Sequence, residues 1–221
     1  MIDKSKKLIV LMPPKTASNS IRFMLEQNGY SFSKDSNKPN YPQIHLKLSE
    51  IVEFYNIDNI RDYKIIQITR NPYHRYVSSF FFQKKIVPPN FSVKFMNYSL
   101  EQFSKHLSES KKTNNFIDNF YGNSDFVNHT INSGNSWGGT RFYDKQIDWN
   151  DLSLNVKYFK LENIINDTTE LQNFLNLSFK NLPLINSQNL NLDYQSLITS
   201  DIKNIVIELF KEDFDTLGYI K

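Results

Sequence analysis

Residues 8–20 read LIVLMPPKTASNS, and this stretch decides how the chain is interpreted. A continuously apolar run leads into Lys15-Thr16 and a cluster of small polar residues, and a helical pattern follows. An unbroken apolar run is typical of a buried parallel strand. A strand that passes through a tight loop into a helix N-terminus presents backbone N–H groups to an anion. The stretch therefore predicts a site for a phosphate or sulfate group.

A second stretch, residues 65–79, repeats this arrangement with arginine: IIQITRNPYHRYVSS. Arg70 follows the apolar run, at the strand end where open α/β sheets bind ligands. Its guanidinium group suits bidentate contact with a phosphate. Ser78 lies on the helix that is predicted after Pro72, and we expect its hydroxyl to contact the same group. Two anion sites on one sheet predict a ligand with phosphates at both ends.

The composition predicts one folded domain over residues 1–221. Hydrophobic residues make up 39% and aromatic residues 14% of the chain, which excludes a disordered protein. The net charge of +3 suits a small anionic ligand and does not indicate nucleic acid. The absence of cysteine excludes disulfides and thiolate metal sites, and the four histidines are isolated. No apolar run approaches the length of a membrane span, so we expect a cytoplasmic protein without a membrane partner.

The alternation of apolar and amphipathic patterns predicts an α/β fold with mostly parallel strands. The predicted strands are 7–12, 63–69 and 158–161. The predicted helices are 18–28, 47–56, 73–85, 99–110, 114–120, 163–175 and 200–211. Residues 33–43 are polar and contain proline, and are predicted to form a loop.

A nucleoside-triphosphate loop is the obvious competing interpretation of the first stretch. The GxxxxGK[ST] pattern needs two glycines, and this chain has Lys15-Thr16 with neither of them. The second apolar run ends in Thr69-Arg70 and supplies no carboxylate for Mg²⁺. A metal-dependent phosphotransferase is therefore disfavoured and stays an alternative.

The two motifs, PKTASNS at 14–20 and RNPYHRYVS at 70–78, resemble those of the sulfotransferases that use 3′-phosphoadenosine 5′-phosphosulfate. The likeness is closest to the carbohydrate sulfotransferases of the heparan-sulfate 2-O type. It extends to YFKLEN at 158–163 and DFDTLGY at 213–219, and does not cover the middle of the chain. The resemblance implies a single P-loop nucleotide-kinase-like domain, with a central parallel sheet flanked by helices.

The resemblance also implies roles for individual residues. Lys15 would contact the phosphosulfate and assist departure of the nucleotide, and Arg70 and Ser78 would hold the 3′-phosphate. No metal is implied, because side-chain cations supply the positive charge. The remaining residues of the phosphosulfate cradle are Thr16, Ala17, Ser18, Asn19 and Ser20. We expect one of the polar residues in this group to cap the following helix.

The acceptor needs a base, and the heparan-type enzymes have a histidine upstream of the second strand. His45 occupies a similar place, and an imidazole can take a proton from an attacking sugar hydroxyl. Trp137 and Arg141, in the glycine-containing stretch GNSWGGTR at 134–141, are candidate acceptor-binding residues. The expected acceptor is a hydroxyl group of a carbohydrate. A sulfotransferase for small alcohols or proteins and a non-catalytic nucleotide-binding module remain alternatives.

Overall fold

The computed structural model describes residues 1–35, 38–42, 45–87, 93–113, 116–122, 141–179, 182–183, 185 and 193–221. The chain forms two compact units. The first comprises Met1–Asn71 and Gln146–Leu190, and the second comprises Pro72–Lys145 and Asn191–Lys221. The prediction of one domain over residues 1–221 stays a prediction.

The first unit contains a mixed sheet of four strands. The strands of this unit are β1 (Ile2–Asp3), β2 (Leu8–Leu11), β3 (Lys34–Asp35), β4 (Lys38–Pro42), β5 (Lys64–Thr69) and β6 (Val156–Lys160). The order in the sheet is β1-β2-β5-β6. Strands β2, β5 and β6 are parallel, and β1 is antiparallel to β2 at the edge. The predicted α/β class and the three predicted strands are confirmed, and β1 is an addition that makes the sheet mixed.

Helices follow or precede these strands along the chain. The first unit contains α1 (Ser18–Gln27), α2 (Leu48–Phe54), α6 (Leu161–Asn166) and α7 (Thr169–Leu175). The second contains α3 (Pro72–Ile86), α4 (Leu100–Lys111), α5 (Phe116–Tyr121), α8 (Tyr194–Leu197), α9 (Ser200–Leu209) and α10 (Lys211–Leu217). Within the described ranges, none of the helices has the length and hydrophobicity of a membrane span.

Both faces of the central strands β2 and β5 are buried. Val10 and Ile66 face a core formed with α1, α6 and α7, whereas Ile9 and Ile65 face a second core formed with α2. Successive strand residues point to opposite faces, so a strand covered on both sides is apolar at most of its positions. This double burial is the physical reason for the unbroken apolar runs in the sequence.

Two local predictions were wrong. Residues 33–43 were expected to form a loop, but β3 and β4 pair there as a separate antiparallel hairpin with an irregular register. An edge strand tolerates proline and need not alternate apolar with polar residues. The polar, proline-containing sequence of these two strands therefore does not indicate a strand. The helix predicted over 163–175 is divided, because Asp167 leaves the helical conformation and its carboxylate accepts the N–H of Thr169, starting α7.

The second unit is helical and its core is aromatic. Tyr76 donates a hydrogen bond to Ser104 Oγ at 2.8 Å, and α9 packs against α3 and α4. Burial raises the pKa of Tyr76, Tyr121 and Tyr143, so these phenols stay neutral. Their fully buried aromatic neighbours are Phe95, Phe103, Phe120, Phe142, Phe210 and Phe214.

Asp3 provides a test of the first unit's edge. Its Oδ1 accepts hydrogen bonds from Ser5 Oγ (2.7 Å) and the Lys6 N–H (3.0 Å), and its Oδ2 accepts the Ser31 N–H (2.7 Å). Burial acts to raise the pKa of Asp3, but these hydrogen bonds outweigh it and hold the pKa below 3.8. We expect Asp3→Asn to lower the free energy of unfolding at neutral pH by about 1–3 kcal/mol, because an amide cannot accept all three donors.

A carboxyl group whose pKa is lower in the folded state than in the unfolded state stabilises the fold at a pH above its unfolded-state pKa. This stabilisation is lost as the pH falls through the folded-state pKa. The difference between Asp3→Asn and the wild type, measured by urea unfolding, should therefore shrink below pH 3.8. Asp58→Asn, at an exposed position of the same unit, is the matched control and should be neutral. An Asp3→Asn variant as stable as the control at neutral pH would contradict this account.

Candidate functional site

The loop between β2 and α1 has a strained backbone. Lys15 has φ 71° and Ala17 has φ 60°, so both lie in the left-handed region that glycine normally occupies. Each such residue costs about 1–2 kcal/mol relative to right-handed backbone. Strain of this kind persists only where surrounding contacts hold it, and it concentrates at functional sites.

Hydrogen bonds from Thr16 and Arg70 hold the loop. The Thr16 hydroxyl, which is fully buried, donates to the Pro13 carbonyl at 2.7 Å. Arg70 Nη1 donates to the Lys15 carbonyl at 3.1 Å. The two sequence motifs are therefore in direct contact within the first unit.

Helix α1 begins without a side-chain cap, so the capping prediction was wrong. The N-cap residue is Ala17, and the Thr16 hydroxyl is used inside the loop instead. The first N–H groups of any α-helix lack partners within the helix and carry partial positive charge. Ser18 and Asn19, in the first turn of α1, add half-buried polar side chains beside these N–H groups. The ten-residue helix thus begins next to a lysine with a terminus of the kind that can bind an anion.

Ser20 has a different environment from the rest of this group. Its side chain is buried, and its Oγ accepts the backbone N–H of Ile185 at 3.1 Å. That bond ties α1 to a distant part of the chain. Lys15, by contrast, is half-buried and stands in the strained loop.

A buried glutamine holds the backbone of Arg70 where β5 ends. Gln146 Oε1 accepts the Arg70 N–H at 2.8 Å, and Gln146 Nε2 donates to the Arg70 carbonyl at 2.9 Å. The primary amide thus makes the pair of hydrogen bonds that a neighbouring strand would make. The next residue is held as well, because the Asn71 N–H donates to Glu162 Oε1 at 2.8 Å.

Further buried amides support Gln146. Gln67, fully buried in β5, donates from Nε2 to the Gln146 carbonyl at 2.6 Å. Its Oε1 accepts from Asn150 Nδ2 at 2.6 Å, and Asn150 Nδ2 also donates to Tyr158 Oη at 3.0 Å. Sequence reasoning missed this network. The one available signal was Gln67, a lone polar residue in an apolar run.

The His45 side chain packs beside Met12, the residue that follows β2. Its ring is buried, and Nδ1 is 2.7 Å from the carbonyl oxygen of Met12. A carbonyl can only accept, so Nδ1 carries the hydrogen and the neutral ring keeps its lone pair on Nε2. The ring also meets the Trp149 indole edge-on, with 6.4 Å between centroids. The hydrogen bond to Met12 therefore sets the tautomer, and both contacts orient the imidazole.

The other predicted site residues lie elsewhere. Ser78 is buried on α3 in the second unit, and Arg141 is half-buried there. Trp137 lies outside the described residues. Arg75, in the second motif, is buried and donates to the carbonyls of Asp144 (2.9 Å) and Arg141 (3.3 Å), so it holds the backbone of that segment in the second unit.

No protein-family model matches the sequence, and no curated protein matches it significantly. The resemblance to sulfotransferases therefore rests on the two motifs and the residues described above.

Gln146 allows a test of how the site is held. We expect Gln146→Ala to lower the free energy of unfolding by about 2–4 kcal/mol, because it removes both hydrogen bonds to the backbone of Arg70 together with a fully buried side chain. Gln146→Glu should also destabilise, since a carboxylate cannot donate to the Arg70 carbonyl. The measurement is chemical unfolding at neutral pH.

Gln27→Ala, at an exposed position of α1, is the matched control and should change stability by less than about 0.5 kcal/mol. If Gln146→Ala were as stable as Gln27→Ala, the amide would not hold Arg70 as described.

Proposed function

We propose that the protein is a sulfotransferase that moves a sulfuryl group from 3′-phosphoadenosine 5′-phosphosulfate to a hydroxyl group, as the motif resemblance implies. The observation that carries the proposal is the contact between the motifs, in which Arg70 Nη1 donates to the Lys15 carbonyl of the strained loop. This contact puts a lysine, a helix N-terminus and a guanidinium group around one location.

The phosphosulfate group fits the loop on chemical grounds. It is a small polyanion, and the N-terminal turn of α1 offers backbone N–H donors together with Ser18 and Asn19. Lys15 would stabilise the negative charge that develops on the bridging oxygen between sulfur and phosphorus as the S–O bond breaks. Arg70, with its backbone held by Gln146, would bind the 3′-phosphate.

His45 would act as the base of the transfer. The acceptor oxygen attacks sulfur, a new S–O bond forms, and the bridging S–O bond of the donor breaks in line with it. The acceptor proton passes to His45 Nε2, and the adenosine 3′,5′-bisphosphate leaves with the electron pair of the broken bond. Donation from Nδ1 to the Met12 carbonyl supports this role, because it selects the tautomer with Nε2 basic.

The strand order β2-β5-β6 with helices on both faces supports a nucleotide-kinase-like fold, in which ligands bind outside the carboxyl ends of parallel strands. Lys15 and Ala17 take left-handed backbone conformations, which glycine adopts at a lower cost in free energy. In this respect the loop differs in sequence from a glycine-containing nucleoside-triphosphate loop.

Calorimetric titration with adenosine 3′,5′-bisphosphate tests the donor site. We expect binding without added metal, and a weakening of about 10- to 100-fold in Arg70→Ala, because a charged hydrogen-bond donor to the phosphate is lost. Arg61→Ala, an exposed arginine of the same unit, is the matched control and should bind as the wild type does. Binding of ATP·Mg²⁺ in preference to the bisphosphate would instead favour the phosphotransferase alternative.

Substitution of His45 tests the base. We expect His45→Ala and His45→Asn to lower kcat by about 10²- to 10⁴-fold and to leave the affinity for the bisphosphate unchanged. His45→Asn is the more informative variant, because its amide can still donate to the Met12 carbonyl and so preserve the local fold. A His45→Asn enzyme that retains wild-type turnover would show that another group takes the proton.

A further inference from the structure

The guanidinium group of Arg70 links the two sequence motifs. Its Nη1 donates to the Lys15 carbonyl at 3.1 Å, and the two residues are 55 positions apart in the chain. The backbone of Arg70 is fixed by Gln146, which bonds both its N–H and its carbonyl. A guanidinium group is planar and carries five N–H donors in a rigid fork, so it can contact a carbonyl and an anion at the same time. The hydrogen bond to Lys15 therefore restricts the orientation of the same group that we expect to bind an anion.

The same hydrogen bond orients a peptide group of the loop. The peptide between Lys15 and Thr16 is trans, so its N–H points away from its carbonyl. With the carbonyl directed to Arg70, the Thr16 N–H is directed away from Arg70. Positive φ angles at Lys15 and Ala17 flank Thr16, and a backbone that alternates in handedness brings successive N–H groups into a concave anion site. The direction of the Lys15 carbonyl therefore decides where the Thr16 N–H of this loop points.

Thr16 and Arg70 hold the loop in different ways. The Thr16 hydroxyl donates to Pro13, so that bond lies within the segment that follows β2. Arg70 belongs to the second motif, and its bond crosses from the end of β5 to the end of β2. A bond confined to one segment does not respond to a ligand on the other motif, whereas a bond between the motifs does. A phosphate that restricts the Arg70 guanidinium therefore also restricts the loop at Lys15.

We propose that Arg70 couples the two anion sites, as a positioning residue for the loop at Lys15 as well as a ligand for the 3′-phosphate. A 3′-phosphate on the guanidinium strengthens the binding of phosphosulfate at the loop. Phosphosulfate strengthens the binding of the 3′-phosphate by the same factor, because a coupling between binding free energies is reciprocal. The protein therefore favours a nucleotide that carries both groups by more than the sum of two separate contacts. The identity of the ligand rests on the proposed function, whereas the hold of Arg70 on the loop does not.

Adenosine 5′-monophosphate separates coupling from direct contact, because it lacks the 3′-phosphate that Arg70 is proposed to bind. We would titrate the wild type and its variants with this nucleotide and with adenosine 3′,5′-bisphosphate. We expect Arg70→Ala to weaken the binding of adenosine 5′-monophosphate by about 5- to 10-fold, since the loop loses the hydrogen bond at the Lys15 carbonyl. Arg70→Lys keeps the charge but not the planar fork, so it should not restore this binding. Arg61→Ala, at an exposed arginine of the same unit, is the matched control and should bind both nucleotides as the wild type does.

Trypsin tests the hold on the loop without any ligand. Cleavage after Lys15 needs local opening of the loop, and its rate follows the population of the open form when opening is fast relative to cleavage. We expect Arg70→Ala to raise the rate of cleavage after Lys15 by about tenfold relative to cleavage after Lys6, an exposed residue of the same unit. Arg61→Ala should leave this ratio unchanged.

The coupling is overturned if Arg70→Ala binds adenosine 5′-monophosphate as tightly as the wild type, if Arg70→Lys restores that binding in full, or if the cleavage ratio is the same in Arg70→Ala and the wild type. If Arg70→Ala loses affinity for the bisphosphate alone, this inference fails and the proposed function stands. A wild-type protein that binds neither nucleotide contradicts both.

Discussion

The parallel pairing of β2 with β5 is the constraint on which the rest of the site depends. Leu11 pairs with Gln67, so the two strands end at the same edge of the sheet and their loops leave it side by side. The hydrogen bond from Arg70 to the Lys15 carbonyl is a direct consequence of that register. This hydrogen bond helps to hold Lys15 in a left-handed conformation that its side chain disfavours. The strain of the loop and the pairing of the strands are therefore parts of one arrangement.

Neutral amides, rather than charged groups, organise the interior of the first unit around Arg70. Gln67 and Gln146 are fully buried, and each is both a donor and an acceptor. A primary amide can reproduce the two hydrogen bonds of a peptide group without a net charge that would have to be desolvated. Gln146 thus extends the hydrogen bonding of β5 by one residue beyond the sheet. The side chain of Arg70 therefore extends from a backbone whose position is fixed.

The first unit also carries two regions of opposite charge. The loop at Lys15 and the guanidinium of Arg70 favour anions, whereas Glu53, Asp148 and Asp151 line a cavity between α2 and the segment 148–154 and favour cations. The buried His45 ring contacts Trp149 on one side and the carbonyl of Met12, the residue after β2, on the other. These two contacts fix the position of the imidazole within the first unit.

The sequence by itself determined the α/β class, the strands β2, β5 and β6 and the start of α1, because burial on both faces of a sheet forces unbroken apolar runs. It also pointed to Lys15, Arg70 and His45 through local patterns. The hairpin β3-β4 was not predictable, since polar edge strands need no apolar alternation. Only the tertiary structure decided the roles of Gln146 and Asn150, which lie 76 or more residues from their partners Arg70 and Gln67. A hydrogen bond over that distance leaves no periodic trace in a sequence, because it depends on where the whole chain places its two ends.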